Sequence, residues 1–110
     1  MIRYSIHLAV VPFPDVDKQK IRPVVVLSEP AGQYRTVLIA PVYSQIPSAL
    51  LGSDIAVRDN FVAYGLQRPS MIRLHRVTEL PLTDLIERLG VVPLADRVKL
   101  KRSLRRLLNL

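Results

Sequence analysis

Short apolar blocks separated by polar stretches follow one another from the amino end of the chain to about residue 80. Residues 6–13 predict a buried strand that ends near Pro12, because proline cannot donate to a sheet ladder. The run VVVLS at 24–28 predicts the next strand, and residues 34–42 predict a third. This pattern of short strands is typical of a mainly β protein.

The middle of the chain supports only short elements. Residues 14–21 and 43–53 predict loops, and residues 54–57 predict a short strand. Imperfect alternation of apolar and polar residues predicts another strand over 70–77. Residues 81–90 fit either a short helix or one helical turn followed by a strand, and the pattern leaves both open.

The last segment has the period of a helix. Four leucines repeat there at i, i+4, i+7 and i+8, which is one stripe of an α-helix. They are Leu100, Leu104, Leu107 and Leu108. Basic residues cover the opposite side, so we predict an amphipathic basic helix over about 95–110. Short strands with a terminal helix predict one domain, residues 1–110, folded as a small β-barrel with the helix packed on it.

The chain is basic, with a formal net charge of +7. Residues 96–110 hold six Lys and Arg residues against the single acid Asp96, a net +5, while residues 1–95 carry +2. Such basicity favours a polyanionic partner such as nucleic acid. The alternative is a solvated basic helix face without a partner.

Several function classes find no support in the sequence. The absence of Cys excludes disulfides and thiolate chemistry, and four glycines without a phosphate-binding loop argue against nucleotide folds. Two histidines without a further ligand pattern give no zinc signal, so we expect neither metal nor cofactor. We also expect a soluble cytoplasmic protein, because no signal peptide or membrane-spanning apolar run is evident.

Four segments stand in an order and spacing that one family shares. They are VPFP at 11–14 with RPVVVLS at 22–28, APVYSQ at 40–45, GLQRPSMIR at 65–73, and LG at 89–90 before the helix. MazF/PemK toxins of toxin–antitoxin systems commonly read V-P-F-P, a loop and R-P-A-L-V-L-S, then A-P-I-T-S-Q and G-L-x-K-P-S-x-x-R. The chain therefore resembles that family over nearly its whole length.

The resemblance implies a fold and an activity. The fold is an SH3-like small β-barrel of the MazF/PemK/CcdB type, usually a homodimer, and it favours a turn followed by a strand at 83–92. The activity is metal-independent cleavage of single-stranded RNA such as mRNA. A cognate antitoxin blocks the groove with a disordered, acidic-leaning segment.

Cleavage of RNA by its own 2′-hydroxyl requires a group that stabilises the negative charge gained by the phosphate oxygens. A guanidinium suits this role because it is always charged and its fork matches those oxygens. Arg22 occupies the family's R-P position, where a polar loop enters an apolar strand, and is the first candidate. The alternative is an Arg22 paired with a nearby carboxylate.

The loop before Arg22 offers further candidates for substrate binding. Asp17 is the ungapped match to a loop acid that contributes to cleavage in some members, although a solvated loop acid is the simpler interpretation. Lys18 and Lys20 are candidate phosphate contacts.

Tyr43 stands where the family has Thr. A Tyr hydroxyl lies at the end of a ring, so it cannot replace a Thr hydroxyl without backbone movement. Tyr43 can serve as an acid, a hydrogen-bond donor or a stacking platform, Ser44 can take over, or the site can be inactive. Ser44 would face the opposite side of the strand. Gln45 matches the family and fits either an RNA contact or a turn-stabilising amide.

Basic side chains of the third segment can line a groove for RNA. Alternation along a strand places Arg73 and His75 on one face and Arg76 on the other, and Arg68 is a further candidate. A polar outer face of the sheet explains the same pattern. His7 and His75 also suggest a base and an acid, though isolated histidines are more often structural.

The altered Tyr43 position keeps a second function open. A catalytically degenerate member would act as a module that binds nucleic acid or protein, including DNA gyrase in the manner of the related CcdB toxins. Fold alone does not separate these functions.

Overall fold

The computed structural model describes residues 1–11 and 20–110, so Asp17 and Lys18 lie outside the described residues. The described part forms seven strands, three short 3-10 turns and one helix. The strands are β1 (Ser5–Val11), β2 (Lys20–Val26), β3 (Thr36–Tyr43), β4 (Ile55–Val57), β5 (Ser70–Ile72), β6 (Thr78–Pro81) and β7 (Leu85–Val91). The turns are Phe61–Tyr64, Leu74–Arg76 and Leu82–Asp84, and the helix α1 is Leu94–Leu108.

The strands form one antiparallel sheet in the order β4-β5-β3-β2-β1-β7, and β6 pairs with β3 off this path. Strand β3 pairs with β2, β5 and β6 along different parts of its length. In the described residues the sheet does not close on itself. The predicted class, mainly β with a helix at the carboxyl end, is confirmed.

Both faces of the central strands are buried, which explains the uninterrupted apolar run of β2. Val25 belongs to a core cluster that also contains Leu100 of the helix. Val24 and Val26 point to the other side and belong to a second cluster. The second cluster consists of Ala9, Val11, Val24, Val26, Val37, Ile39 and Leu80. Because side chains alternate along a strand, a run with both faces covered has no polar positions.

Helix α1 packs on the first cluster through the predicted stripe. Leu100 is buried, and Leu104 and Leu107 pack against the same cluster. Leu108, predicted to belong to the stripe, is instead 54% exposed, because the helix ends there and Asn109 turns into the left-handed region. No helix in the described part of the chain is long and apolar enough to cross a membrane.

The acid predicted to favour the helix dipole also makes specific contacts. The Asp96 carboxylate accepts hydrogen bonds from the Tyr64 hydroxyl at 2.6 Å and the Asn60 amide at 2.9 Å. Burial and the bond to Asp96 raise the pKa of Tyr64, so its phenol stays protonated. This contact ties the start of α1 to the Phe61–Tyr64 turn.

Two sequence predictions of elements need adjustment, and the structure decides between two alternatives at a third segment. The strand predicted over 70–77 ends at Ile72, because Leu74 enters the core and the chain forms the Leu74–Arg76 turn before β6. The loop predicted over 14–21 stops earlier, since Lys20 and Ile21 pair with β1. Of the two alternatives for 81–90, the structure has a turn followed by a strand.

Gly65 and Gly90 allow the Phe61–Tyr64 turn to lie directly against β7. Gly65 has a φ of +82°, and a Cβ on it would overlap the carbonyl of Leu89. A Cβ on Gly90 would overlap the carbonyl oxygen of Tyr64. Any side chain at either position would therefore push two backbone segments apart.

We expect Gly90→Ala to destabilise the protein by about 3 kcal/mol, because the new methyl group meets backbone that cannot move aside. Gly52→Ala is the matched control, since a Cβ at Gly52 meets nothing within 4 Å. Urea unfolding of both variants measures the difference. Equal stabilities of the two variants would contradict the close approach.

Candidate functional site

Arg22 and Tyr43 face each other on neighbouring strands. The β2–β3 register pairs Val24 with Pro41, and two further residues along each strand place Arg22 opposite Tyr43. The Arg22 guanidinium carbon lies 4.8 Å from the centroid of the Tyr43 ring, which is cation–π geometry. The described residues include no carboxylate in an ion pair with Arg22, so the alternative interpretation of Arg22 finds no support in this part of the chain.

The Tyr43 side chain is held on three sides. Its ring packs against the second core cluster, and Arg22 covers the ring as described above. Its hydroxyl accepts a hydrogen bond from Nη1 of Arg76 at 3.2 Å. The phenol oxygen is thus fixed beside a second guanidinium.

Arg76 reaches Tyr43 because the chain turns after β5. Residues 74–76 form a 3-10 turn, in which residues three apart lie on the same side. Arg73 and Arg76 therefore line one pocket together with Tyr43, whereas His75 lines another beside Ser53. The predicted arrangement, with Arg73 and His75 on one face, is wrong for this physical reason.

An ion pair anchors this turn. Nε and Nη2 of Arg73 donate to the two carboxylate oxygens of Asp54 at 3.1 Å and 2.8 Å. The Asp54 side chain is 0% exposed. Burial raises the pKa of Asp54, but the hydrogen bonds from Arg73 and from the Leu51 backbone outweigh it, and the pKa lies below its ordinary value. Two donors of Arg73 are thus already occupied.

Two pockets are lined by members of the Arg22–Tyr43 pair, one by Arg22 and the other by Tyr43. The first has a volume of about 370 Å³, and Arg22, Ser44 and Gln67 are among its lining residues. The second has a volume of about 500 Å³ and is lined by Tyr43, Gln45, Ile46, Pro47, Met71, Arg73 and Arg76. Tyr43 and Ser44 thus face different pockets, as strand alternation predicted. Arg22 lines the first pocket while its guanidinium covers the ring that lines the second.

The remaining predicted residues lie apart from this pair. Lys20 is exposed at the start of β2. The Nδ1 atom of His7 lies 3.3 Å from the Ser5 hydroxyl, and burial followed by the charge of Arg88 lowers the pKa of His7. His7 lines neither pocket. In residues 1–11 and 20–110, no three His, Cys, Asp or Glu side chains are grouped to hold a metal ion.

The sequence did not reveal the contacts of two residues of the site, Arg76 and Asp54. Alternation predicts Arg76 on the wrong face, and only a turn that begins at the buried Leu74 corrects it. The sequence predicts Asp54 only as part of a short strand, whereas the structure shows that it forms an ion pair with Arg73. A partner nineteen residues away leaves no local signal in one sequence.

The comparison with known families decides the relationship. A family described as PemK-like, MazF-like toxin of type II toxin–antitoxin system matches residues 4–108. The chain belongs to this toxin family.

Solved structures of MazF toxins share the fold. The Mycobacterium tuberculosis toxin MazF-mt6 is 22% identical, with a TM-score of 0.74 over 96% of this chain and 97% of that chain. An endoribonuclease in complex with its cognate antitoxin, from a mycobacterial species, is 14% identical, with a TM-score of 0.71 over 100% of this chain and 94% of that one. At these identities the similarity establishes the MazF-like fold. A search of curated proteins gave no match.

We expect Asp54→Asn to lower the free energy of unfolding by about 1–3 kcal/mol near neutral pH, because it leaves the Arg73 donors without their charged partner. The Asp54 pKa is lower in the folded than in the unfolded protein. The stabilisation is therefore complete above the unfolded pKa and is lost as the pH falls through the folded pKa, below about pH 4. Urea unfolding at several pH values measures this difference.

The exposed Asp59 provides the control, and Asp59→Asn should change stability by less than about 0.5 kcal/mol. A constant difference between wild type and Asp54→Asn from neutral pH into the acid range would refute the assignment of the pair.

Proposed function

We propose that this toxin is an endoribonuclease that cleaves single-stranded RNA without a metal ion. The observation that carries the proposal is the Arg22 guanidinium, which is held on the Tyr43 ring at 4.8 Å beside an open pocket. A protein with the same fold is described as an endoribonuclease, which adds support. The attacking group is the RNA's own 2′-hydroxyl.

In this mechanism Arg22 acts on the phosphate. As the 2′-oxygen attacks phosphorus, negative charge grows on the phosphate oxygens, and a preorganised guanidinium stabilises it most where little water remains. The 2′-hydroxyl gives its proton to solvent water as it attacks. The bond from phosphorus to the 5′-oxygen then breaks, and that oxygen takes up a proton from water, which leaves a cyclic phosphate and a free 5′-hydroxyl. The Ser44 hydroxyl lines the same pocket as Arg22, where it can orient the sugar by a hydrogen bond.

The two pockets favour single-stranded RNA as the substrate. One is lined by Arg22 and the other by Tyr43, whose ring the Arg22 guanidinium covers, so a phosphate held at Arg22 would bring its neighbouring nucleosides close to both pockets. Only unpaired bases are free to turn into such pockets. Gln67 lines the first and Gln45 the second, and each amide offers donors and acceptors for base edges.

The basic surface supports both RNA and an antitoxin as partners. Helix α1 exposes several cations, among them Arg102, Arg105 and Arg106. Such a surface attracts phosphate backbones, and it also suits an acidic protein segment. A protein of the same fold has been solved with its cognate antitoxin, and we propose the same kind of partner here. Cellular RNA as substrate implies action in the cytoplasm.

We expect purified protein to cut a long RNA at discrete sites in the presence of EDTA. Arg22→Ala should reduce the rate about 100-fold or more, because it removes a preorganised charge from the phosphate. Arg58→Ala is the matched control, since Arg58 is exposed and lines neither pocket. Gel analysis of the fragments measures the rates. No cleavage by wild type at high enzyme concentration would refute the proposal.

The second candidate function is RNA binding without cleavage, and Tyr43 at the family's Thr position favours it. Under this hypothesis wild type binds the RNA but does not cut it, and Tyr43→Thr gains activity. The same gel assay separates the two functions.

We expect a small acidic protein encoded next to this toxin to bind it and to stop RNA cleavage. Their opposite charges should make binding weaker at high salt. Co-expression, copurification and titration into the cleavage assay measure the effect. If the neighbouring protein neither copurifies nor inhibits, the antitoxin proposal is wrong for that pair.

A further inference from the structure

We propose that Tyr43 is a positioning residue: its ring holds the Arg22 guanidinium in place, and Arg76 holds the ring. The activity part of this inference rests on the proposed ribonuclease function, whereas the positioning itself does not. It assigns a role to the residue at which the chain departs from the family pattern.

The Tyr43 ring limits the conformational freedom of Arg22. A long arginine side chain has many rotamers, and ordering it costs conformational entropy. The Tyr43 ring lies 4.8 Å from the guanidinium carbon and favours one arrangement. At a partly exposed site a cation–π contact corresponds to roughly a two- to fivefold preference. Stacking leaves the edge of the guanidinium, where its N–H donors lie, free to meet a phosphate.

The Tyr43 ring is itself held in position by two contacts. Tyr43 packs on the second core cluster, and the bond from Arg76 fixes its hydroxyl end. Arg76 belongs to the Leu74–Arg76 turn, and two contacts of the preceding Arg73 hold that turn in place. The backbone N–H of Arg73 donates to the carbonyl of Pro41 in β3 at 3.1 Å, and the Arg73 side chain pairs with buried Asp54. A continuous series of contacts thus runs from Asp54 to Arg22.

A threonine at position 43 could not make these contacts. It would place a hydroxyl near the backbone but offer no ring to Arg22, and the bond from Arg76 to the Tyr43 oxygen would be lost. In this chain, a return to the family's residue should therefore lower activity. That expectation is opposite to the one for a degenerate toxin.

Single-turnover cleavage of a short RNA at saturating enzyme tests the role. We expect Tyr43→Leu and Tyr43→Thr to lower the cleavage rate about two- to fivefold, the preference that the ring provides, and Tyr43→Phe, which keeps the ring, to recover most of that loss. In an Arg22→Ala background, Tyr43→Leu should have little further effect, because the ring acts through Arg22. A Tyr43→Phe enzyme as slow as Tyr43→Leu would overturn the inference, since the hydroxyl and not the ring would then carry the effect.

A second measurement does not depend on cleavage. In ¹⁵N-labelled protein the ring current of Tyr43 should shift the Arg22 Nε–H resonance, which is identified by its loss in Arg22→Lys. We expect this shift to remain in Tyr43→Phe and to vanish in Tyr43→Leu. The other amide signals of Tyr43→Leu serve as the control for folding. An Arg22 signal that is the same in all three proteins would overturn the inference.

The two measurements keep the proposals apart. If wild type does not cut RNA but the Arg22 shift behaves as expected, the ribonuclease proposal fails and the positioning stands. If cleavage appears only in Tyr43→Thr, the positioning role in catalysis is refuted and the chain is a degenerate toxin.

Discussion

The pairing register of β2 with β3 is the constraint on which the site depends. It brings Arg22 opposite Tyr43, and a slip by one residue would turn one of them to the other face. The core opposes such a slip, because Val25 fills one cluster while Val24 and Val26 fill the other. Each valine would then meet the wrong cavity. The contact between a guanidinium and a ring is therefore specified by hydrophobic packing some distance away.

An ion pair and a hydrogen bond position the hydroxyl end of Tyr43. The buried Asp54 carboxylate holds Arg73, and the short turn that follows delivers Arg76 to the Tyr43 hydroxyl. An ion pair of this kind contributes little net stability, because desolvation opposes the attraction between the charges. Its value here is geometric, since removing either partner would release the turn. Arg73, although it was a candidate for RNA binding, acts first on the protein itself.

Strands and helices that leave a local pattern in the sequence could be predicted. Contacts between distant segments of the chain could not. Short apolar runs predicted β1, β2 and β3, and the leucine repeat of period 3.6 predicted α1. Arg22 was a candidate because it occupies the R-P position of the family. Alternation also predicted that Tyr43 and Ser44 face different sides. The Leu74–Arg76 turn is too short to show a period. The close approach of Gly65 and Gly90 and the Asp54–Arg73 pair join distant segments, so no local pattern records them.

The departure at Tyr43 has a physical interpretation that follows from these contacts. A small hydroxyl side chain offers one short-range hydrogen bond, whereas a tyrosine offers a cation a broad aromatic face and keeps its hydroxyl at the far end. Both ends of Tyr43 are occupied by arginines, Arg22 on the ring and Arg76 at the oxygen. Because like charges repel, it matters that the two guanidiniums contact different parts of the side chain, one the ring and the other the hydroxyl. Tyr43 thus makes two contacts with positive charge that a small hydroxyl side chain at this position could not make together.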